Sequence, residues 1–344
     1  DVRAIPWNGL TAVSTFSGCG GSSLGWRLAG FRVRYAVEFV SAAADTYRAN
    51  HSATVDTRDI RTIEPAEILG NLGLDIGDLD ALDGSPPCSF VSAAGSGSDG
   101  WGKVKPYSDV KQRTDDLFAH FVRLVGGLRP RLFVAENVPR LAEGRNLGHF
   151  RKIMVGLRDL GYRVRAAKID ASWLGVPQSR VRLFIVGVRD DLRRDPAFPT
   201  PLPFRYSIRD ALPWTVPNPD WSSFPDAPTA VDGRATSIVG YALGREWGRL
   251  RLGQQSSRYF QLVRTHPEQP CPTITQSEKN LSTAGPTHPY EPRKWTLGEL
   301  RRLSGFPDDF VLTGTREQGW ERLARAVPPP VMGAIASRLV EVLR

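Results

Sequence analysis

Short strands and helical segments alternate along residues 1–190, and this alternation restricts the fold more than any other feature of the sequence. The first strand candidate is rich in residues that favour strands and stops at a glycine-rich segment, and the short third and fourth candidates end in polar or proline-rich residues. Strands that alternate with helices are typical of a doubly wound, mostly parallel sheet, so we predict this α/β architecture. The predicted strands are 11–16, 32–39, 79–83, 132–135 and 183–188, and the predicted helices are 22–30, 117–128 and 150–160.

The composition changes after Arg189. Residues 196–230 are rich in proline, serine and tryptophan and show weak periodicity, which indicates a second, smaller and irregular domain. Further along, Thr296 and Glu299 have the spacing of a helix capping box, and 331–343 has the pattern of an amphipathic helix. We therefore predict one domain of 1–189 with 320–344 and a second of 190–319.

Charge and cysteine content limit the classes of function. The 344 residues include 45 Lys+Arg and 36 Asp+Glu, and the net charge of +9 permits a nucleic-acid partner. The base composition of a genome can also enrich its proteins in arginine, so the charge alone does not decide the partner. No apolar run reaches the about 18 residues that span a bilayer. The three cysteines are widely spaced and the five histidines scattered, which disfavours a disulfide framework and a metal site. A lone cysteine in a reducing compartment is able to act as a nucleophile.

The segment 16–21 (Phe-Ser-Gly-Cys-Gly-Gly) follows the first predicted strand and begins a helix. Glycines allow a sharp turn and a close approach to a ligand, and a helix N-terminus offers free N–H groups. The spacing differs from the G-x-G-x-x-G of dinucleotide-binding loops. Glu38 ends the second predicted strand, where an acid commonly accepts hydrogen bonds from ribose. Together they favour an adenosine-type cofactor; taken separately, a tight turn and a surface acid explain them equally well.

Three further segments carry polar residues near strand ends, where open α/β sheets place their sites. Cys88 ends Gly-Ser-Pro-Pro-Cys, either as a nucleophile or as a buried structural cysteine, and the glycine- and serine-rich residues after it suit an active-site lid. Glu136 is either a proton donor to a ring nitrogen or a helix cap. The third segment has three polar residues on one extended face, which favours an anionic ligand: Gln178, Arg180 and Arg182.

The order of these segments resembles that of the DNA cytosine-C5 methyltransferase family. It runs F-S-G-x-G-G, an acid after the second strand, P-P-C, E-N-V and Q-x-R-x-R, then G-F-P-D-D-F at 305–310 and V-P-P-P at 327–330. The resemblance covers nearly the whole chain except 190–290, where the family places its variable target-recognition domain. It implies a Rossmann-like catalytic domain dependent on S-adenosyl-L-methionine, base flipping and double-stranded DNA as the partner. It further implies no metal, a monomer, and the cytoplasm of a bacterial or phage-infected cell.

The resemblance also implies roles for the matched residues. Cys88 is the nucleophile that adds to C6 of cytosine, and Glu136 contacts N3 and supplies a proton. Arg180 and Arg182 orient the base and nearby phosphate or cofactor groups, while Asn137 braces the Pro-Cys loop. The residues implied to bind the cofactor, with Asp59 on the adenine amine and Glu38 on the ribose, are Phe16, Gly18, Gly20, Gly21, Leu24, Glu38, Phe39, Asp59, Ile60, Pro86, Leu117, Arg325, Ala326 and Val327.

DNA contacts are expected from three places. The arginine- and aromatic-containing stretch 240–265 suits phosphate and base contacts, although a solvated surface has the same composition. The loop after P-P-C and the Q-x-R-x-R segment are the other two. The expected DNA-contacting residues are Ser89, Ser92, Gln178, Arg245, Arg249 and Arg258.

The chain departs from the family pattern at three places. Ser89 stands where glutamine usually follows P-P-C, and Gly298 stands where arginine usually precedes glutamate. The last motif, usually Gly-Asn-(Ala/Ser)-Val-Pro, reads Ala-Arg-Ala-Val-Pro. The family fold would place Arg325 beside the donor, where a guanidinium repels the sulfonium, so Arg325 needs a counter-charge.

Three explanations of Arg325 stay open. In the one we prefer, it turns outward or pairs with a protein acid or a DNA phosphate, and methyl is transferred. In the second, it binds the carboxylate of carboxy-S-adenosyl-L-methionine, and the product is 5-carboxymethylcytosine. In the third, it impairs cofactor binding. For the chain as a whole, the rivals are an RNA cytosine-C5 methyltransferase and a non-catalytic DNA-binding relative; retention of Cys88 and Glu136 disfavours the latter.

Overall fold

The computed structural model describes residues 4–87, 105–107, 110–112, 116–213, 235–259, 261–276 and 285–344, with only the backbone described at 105–107 and 110–112. The chain divides into two compact units. Unit 1 comprises Asp1–Ile169, Val181–Thr200 and Val331–Arg344, and unit 2 comprises Asp170–Arg180 and Pro201–Pro330. Unit 2 thus takes in 170–180 and 320–330, which the sequence assigns to the first domain. The roles of the two domains remain predictions.

The secondary structure is numbered in chain order. The strands are β1 Thr11–Thr15, β2 Arg32–Val37, β3 Thr54–Asp56, β4 Ala81–Gly84, β5 Lys105–Tyr107, β6 Val110–Gln112, β7 Leu132–Asn137, β8 Tyr162–Asp170, β9 Gln178–Ser179, β10 Val181–Arg189, β11 Val263–Arg264, β12 Cys271–Pro272 and β13 Pro286–Thr287. The helices are α1 Gly21–Leu28, α2 Ser41–Asn50, α3 Pro65–Leu72, α4 Leu117–Leu128, α5 Leu147–Asp159, α6 Ile208–Ala211, α7 Ala242–Trp247, α8 Leu297–Leu303, α9 Arg316–Arg325 and α10 Pro329–Leu343.

Unit 1 is built on a seven-stranded sheet in the order β3-β2-β1-β4-β7-β10-β8. β1 pairs in parallel with β2 and β4, and β7 pairs in parallel with β4. β10 is antiparallel to β7, so the sheet is mixed and mostly parallel, which confirms the predicted α/β class. The carboxyl ends of β1, β4 and β7 meet at one edge of the sheet. The loops that begin at Phe16, Ser85 and Val138 are therefore neighbours.

The central strands are buried because helices cover the sheet. Residues 132–135 of β7 are all 0% exposed, and such continuous apolar runs are typical of parallel strands covered on both faces. Aromatic rings of α4, β7 and β8 pack edge to face in this core, through Phe121, Phe133 and Tyr162. The core therefore fixes the strand ends that carry the candidate site.

Gly187 in β10 lies opposite Phe133, and a Cβ at Gly187 would overlap the Phe133 ring. We expect Gly187→Ala to destabilise unit 1 by about 1–3 kcal/mol, because a packed core cannot accept the extra group without strain. The control is Gly156→Ala in α5, where the added methyl meets nothing within 4 Å. Removing a helical glycine stabilises by about 0.5–1 kcal/mol. Thermal unfolding checks both, and a Gly187→Ala midpoint at or above the native one would contradict the prediction.

The described part of unit 2 consists of short strands and helices joined by irregular segments. The predicted capping box is present: the Thr296 hydroxyl accepts from the Glu299 N–H, and the Glu299 carboxylate accepts from the Thr296 N–H. One described stretch, Arg316–Leu343, is long and apolar enough to cross a membrane, but half of its apolar window is buried, as in the core helix of a globular protein. It is weak evidence for a membrane span.

Candidate active site

The loop between β1 and α1 has the backbone of a ligand-binding turn. Phe16, Gly18 and Gly20 all have positive φ, at 51°, 56° and 93°. Gly20 is the residue before α1, and a Cβ there would overlap the imidazole of His51. Only glycine fits at Gly20 without strain, and the loop leads directly into the N-terminus of α1, whose first N–H groups are able to bind a ligand. These features fit an adenosine-type cofactor held against backbone.

Glu38 organises this loop from the end of β2. Its carboxylate accepts hydrogen bonds from the N–H of Gly18 at 2.6 Å and from the N–H of Val40 at 2.8 Å. The side chain is buried, at 8% exposed. A carboxylate has further lone pairs, so the same group is able to accept from ribose hydroxyls. Glu38 thus has a structural role that the sequence did not reveal, and its ribose contact remains a prediction.

The other predicted cofactor residues of unit 1 differ in how exposed their side chains are and in what they contact. Ile60 and Leu117 belong to the apolar core, and Phe16 packs against it. Phe39 is 38% exposed, which suits a side chain that covers a ligand. Asp59 is already engaged, because its carboxylate binds the Arg61 guanidinium at 2.9 Å. The remaining members are buried: Gly21, Leu24 and Pro86. Contact between Asp59 and an adenine amine remains a prediction.

A buried carboxyl joins the cofactor loop to the Pro-Pro loop, and the sequence analysis missed it. Asp83 in β4 is 2% exposed and accepts a hydrogen bond from the hydroxyl of Ser22 in the first turn of α1. Burial raises the pKa of Asp83 to about 7, and hydrogen bonding from Ser22 opposes that rise. Asp83 lies one residue before Gly84-Ser85-Pro86-Pro87. A change in its charge therefore affects both loops.

The raised pKa predicts a pH-dependent stability. The folded chain holds the Asp83 proton more tightly than the unfolded chain, so this group's contribution to the free energy of unfolding falls as pH rises from about 4 to about 7. The loss amounts to at most about 4 kcal/mol. Asp83→Asn should remove this loss. The free energy of unfolding of the variant, measured in urea, should therefore rise relative to that of the native chain between about pH 5 and pH 8. The exposed Asp75→Asn is the control, and an equal gain in both variants would contradict the prediction.

Glu136 and Arg182 form an ion pair where β7 and β10 run side by side. Arg182 Nε lies 3.2 Å from Glu136 Oε1, and Glu136 is 8% exposed. Burial lowers the pKa of Arg182 and the Glu136 charge opposes this, so the pair is mutually stabilised. Next to it, Asn137 Nδ2 donates to the Pro86 carbonyl at 3.1 Å. The predicted bracing of the Pro-Cys loop by Asn137 is present at Pro86.

Cys88, Ser89 and Ser92 lie outside the described residues. The other two cysteines are buried, Cys19 at 1% exposed and Cys271 at 0%. Burial raises the pKa of the Cys271 thiol well above its usual range, so this thiol is inert. The nucleophile role therefore remains with Cys88, as a prediction.

The remaining predicted residues lie in unit 2. Arg180 is 4% exposed, and its guanidinium donates to the carbonyl of Arg325 at 3.3 Å. The Arg325 guanidinium pairs with Glu321 at 2.7 Å and donates from Nε to Gln276 at 2.6 Å. Ala326 and Val327 follow directly after α9.

The expected DNA contacts of unit 2 differ in exposure. Gln178 is 2% exposed, and its backbone pairs with Cys271 in the β9–β12 ladder. Arg245, Arg249 and Arg258 are exposed, and Arg258 lies 5.6 Å over the Tyr259 ring. Exposed arginines are available to a phosphate backbone, whereas Gln178 needs a local rearrangement to reach DNA. All four contacts stay predictions.

The fold and these side chains define a Rossmann-like transferase with a nucleoside-type cofactor. A glycine-rich loop follows β1, an acid follows β2, and a carboxylate–guanidinium pair stands at the end of β7. The chain belongs to the C-5 cytosine-specific DNA methylase family, whose model matches residues 10–341. It is accordingly an S-adenosyl-L-methionine-dependent DNA cytosine-C5 methyltransferase. Among the described residues, no three His, Cys, Asp or Glu side chains form a group able to hold a metal ion.

Similar proteins cover nearly the full chain. The type II methyltransferase M.FnuDI of Fusobacterium nucleatum is 30% identical over 97% of this chain and 95% of its own length. M.MthTI of Methanothermobacter thermautotrophicus, also a type II methyltransferase, is 29% identical over 96% of this chain and 97% of its own length. A crystal structure of an E. coli prophage protein, described as a DNA modification methyltransferase, shares 26% identity with a TM-score of 0.75 and covers 97% of this chain and 99% of that one. The Dnmt2 methyltransferase of S. pombe has the same fold, with 18% identity, a TM-score of 0.66 and coverage of 97% and 99%.

Proposed function

We propose that the chain transfers a methyl group to C5 of a cytosine flipped out of duplex DNA, and that the product is 5-methylcytosine. The observation that supports this best is the Glu136–Arg182 pair beside the loop that Asn137 holds at Pro86. A buried carboxyl group held by a guanidinium suits recognition of a cytosine N3 edge. The target carbon lies inside the stack of a duplex, so the base has to leave it, at a cost of a few kcal/mol.

Each side chain then has one task. The Cys88 thiolate forms a bond to C6, and the ring electron pair moves to make C5 a nucleophilic enamine. Glu136, in its carboxylic acid form, donates a proton to N3 and neutralises the charge that builds on the ring. S-Adenosyl-L-methionine, when bound, supplies the electrophilic methyl group that C5 takes up. A base removes the C5 proton, the electron pair re-forms the C5–C6 double bond, the Cys88 thiolate leaves, and the N3 proton returns to Glu136. Gly18, Gly20 and Glu38 would hold the donor.

Arg325 bears on which group is transferred. Its guanidinium has a protein counter-charge in Glu321 and a second partner in Gln276, as the preferred explanation requires. This supports ordinary methyl transfer. The second candidate remains transfer of carboxymethyl from carboxy-S-adenosyl-L-methionine, because arginine in place of the usual asparagine offers a bidentate partner for a carboxylate.

Nucleoside mass spectrometry distinguishes these products. Duplex DNA and transfer RNA are incubated separately with the native chain or Arg325→Asn, in the presence of S-adenosyl-L-methionine or its carboxylated analogue. We expect 5-methylcytosine in DNA from both proteins. If 5-carboxymethylcytosine forms and Arg325→Asn loses it while still methylating, the carboxymethyl candidate is correct. Modification of transfer RNA alone would establish the RNA enzyme.

A trapping experiment tests the remaining rival. Duplex DNA with 5-fluorocytosine at the target retains the Cys88 adduct, because the fluorine cannot leave as a proton does. We expect a covalent complex with the native chain and none with Cys88→Ala. Absence of the complex with every competent donor would support a non-catalytic DNA-binding relative. We retain the monomer and the cytoplasmic location as proposals, which gel filtration and cell fractionation test.

A further inference from the structure

Unit 1 carries a cavity that none of the predicted site residues lines. Its volume is about 450 Å³, and its walls come from α1, the first residues of β2 and β3, and the end of α3. A small ligand with about the bulk of a mononucleotide fits such a volume. We call it the arginine pocket, after Arg27, Arg32 and Arg34 in its lining.

Among the described residues, the arginine pocket is lined by charges of one sign. They are three arginines, with no aspartate or glutamate beside them. Elsewhere in this unit Arg58 and Arg61 pair with carboxylates, but within the described residues no carboxylate pairs with Arg32 or Arg34. A concave surface with low-dielectric walls focuses the field of such charges. The pocket therefore attracts anions.

The donors of the pocket are arranged rather than scattered. Arg32 and Arg34 are two residues apart in β2, and both line the pocket. The Arg32 guanidinium stacks 4.7 Å over the Trp7 ring, whose indole N–H donates to the Leu10 carbonyl at 2.7 Å. Stacking fixes the plane of a guanidinium while its edge remains able to donate two parallel hydrogen bonds to one anion.

His51 also lines the pocket, and its pKa depends on the charge of the pocket. Its ring packs on Tyr47 with centroids 4.5 Å apart, and it lies against Gly20. Burial and the positive charge of Arg27 lower the pKa of His51 to about 4, so the imidazole is neutral at physiological pH. A bound anion would stabilise the imidazolium and raise this pKa.

We propose that the arginine pocket binds the phosphate group of a nucleotide. Phosphate oxygens match the fork of an arginine guanidinium, and no carboxylate in the described part of the lining competes for it. The phosphate comes either from a free mononucleotide or from the backbone of bound DNA. The proposal does not depend on the reaction at Cys88.

Calorimetric titration tests the proposal with three probes: inorganic phosphate, ADP and a short duplex. The variant is Arg32→Gln with Arg34→Gln, both exposed and outside the core; the matched control is Arg151→Gln with Arg158→Gln, two exposed arginines of α5. We expect the native chain to bind ADP saturably, the double variant to lose about tenfold or more in affinity, and the control to be unchanged. Arg32→Lys with Arg34→Lys should fall between them, because charge remains without the fork.

NMR titration of His51 gives a second readout, in which saturation with ADP should raise its pKa above about 4. Displacement of ADP by the duplex would make the DNA backbone the source of the phosphate, and failure to displace it would make the free nucleotide the source. The proposal is overturned if the native chain binds none of the three probes saturably, or if the glutamine variant binds as tightly as the native chain.

Discussion

Glu136→Gln is expected to lower kcat for transfer by about 10²–10⁴-fold, the usual contribution of a general acid, with little change in KM for DNA. The amide still fills the site and still meets Arg182, but it has no proton to supply to N3 of cytosine. Single-turnover transfer to duplex DNA measures the chemical step directly.

The control for Glu136 is Glu143→Gln in the same unit. Glu143 is 46% exposed and pairs with Lys168 at the surface, so its loss should leave kcat unchanged. Equal rates for Glu136→Gln and the native chain would remove Glu136 from the mechanism and leave Arg182 as a structural partner only.

Gly20→Ala is expected to weaken binding of S-adenosyl-L-methionine by roughly 10–100-fold. A residue with a Cβ at φ 93° costs about 1–2 kcal/mol, and here the methyl group also displaces His51 from the loop. The control is Gly9→Ala, where φ is 91° and the methyl group meets nothing within 4 Å. Calorimetry of cofactor binding compares the two variants. If both bind as the native chain does, the loop at Gly20 is not where the cofactor lies.

The sequence predicts best where local pattern and burial agree. β1 is a short run rich in β-branched residues, β7 begins as a compact apolar run, and α4 begins and ends where its periodicity predicts. Predicted ends elsewhere move by a few residues: 79–83 is Ala81–Gly84, and 150–160 is Leu147–Asp159.

The elements that the sequence analysis missed have weaker apolar patterns. α2 buries three small residues and one aromatic residue, which give little hydrophobic periodicity: Ala43, Ala44, Thr46 and Tyr47. β8 is only partly buried along its length.

The site shows the same division. Motif spacing predicts Gly20, Glu38 and Glu136 as site residues, since each lies at or just after the end of a predicted strand. It cannot find the partner of Asp83, because Ser22 is 61 positions away in the chain and only the β1–β4 pairing brings the two together. Likewise, the Glu136–Arg182 pair depends on β10 running antiparallel to β7, a direction that no local pattern specifies.

The end of α10 has a consequence for synthesis on the ribosome. Gly333 packs against Leu28 of α1, and the Leu343 carbonyl accepts from Arg131. The helix that follows the glycine loop is therefore supported by residues translated long after it. A nascent chain that stops before 331 has already exposed the loop but lacks this support, so we infer that α1 reaches its final packing late in translation, after the segments that we expect to contact DNA have been made.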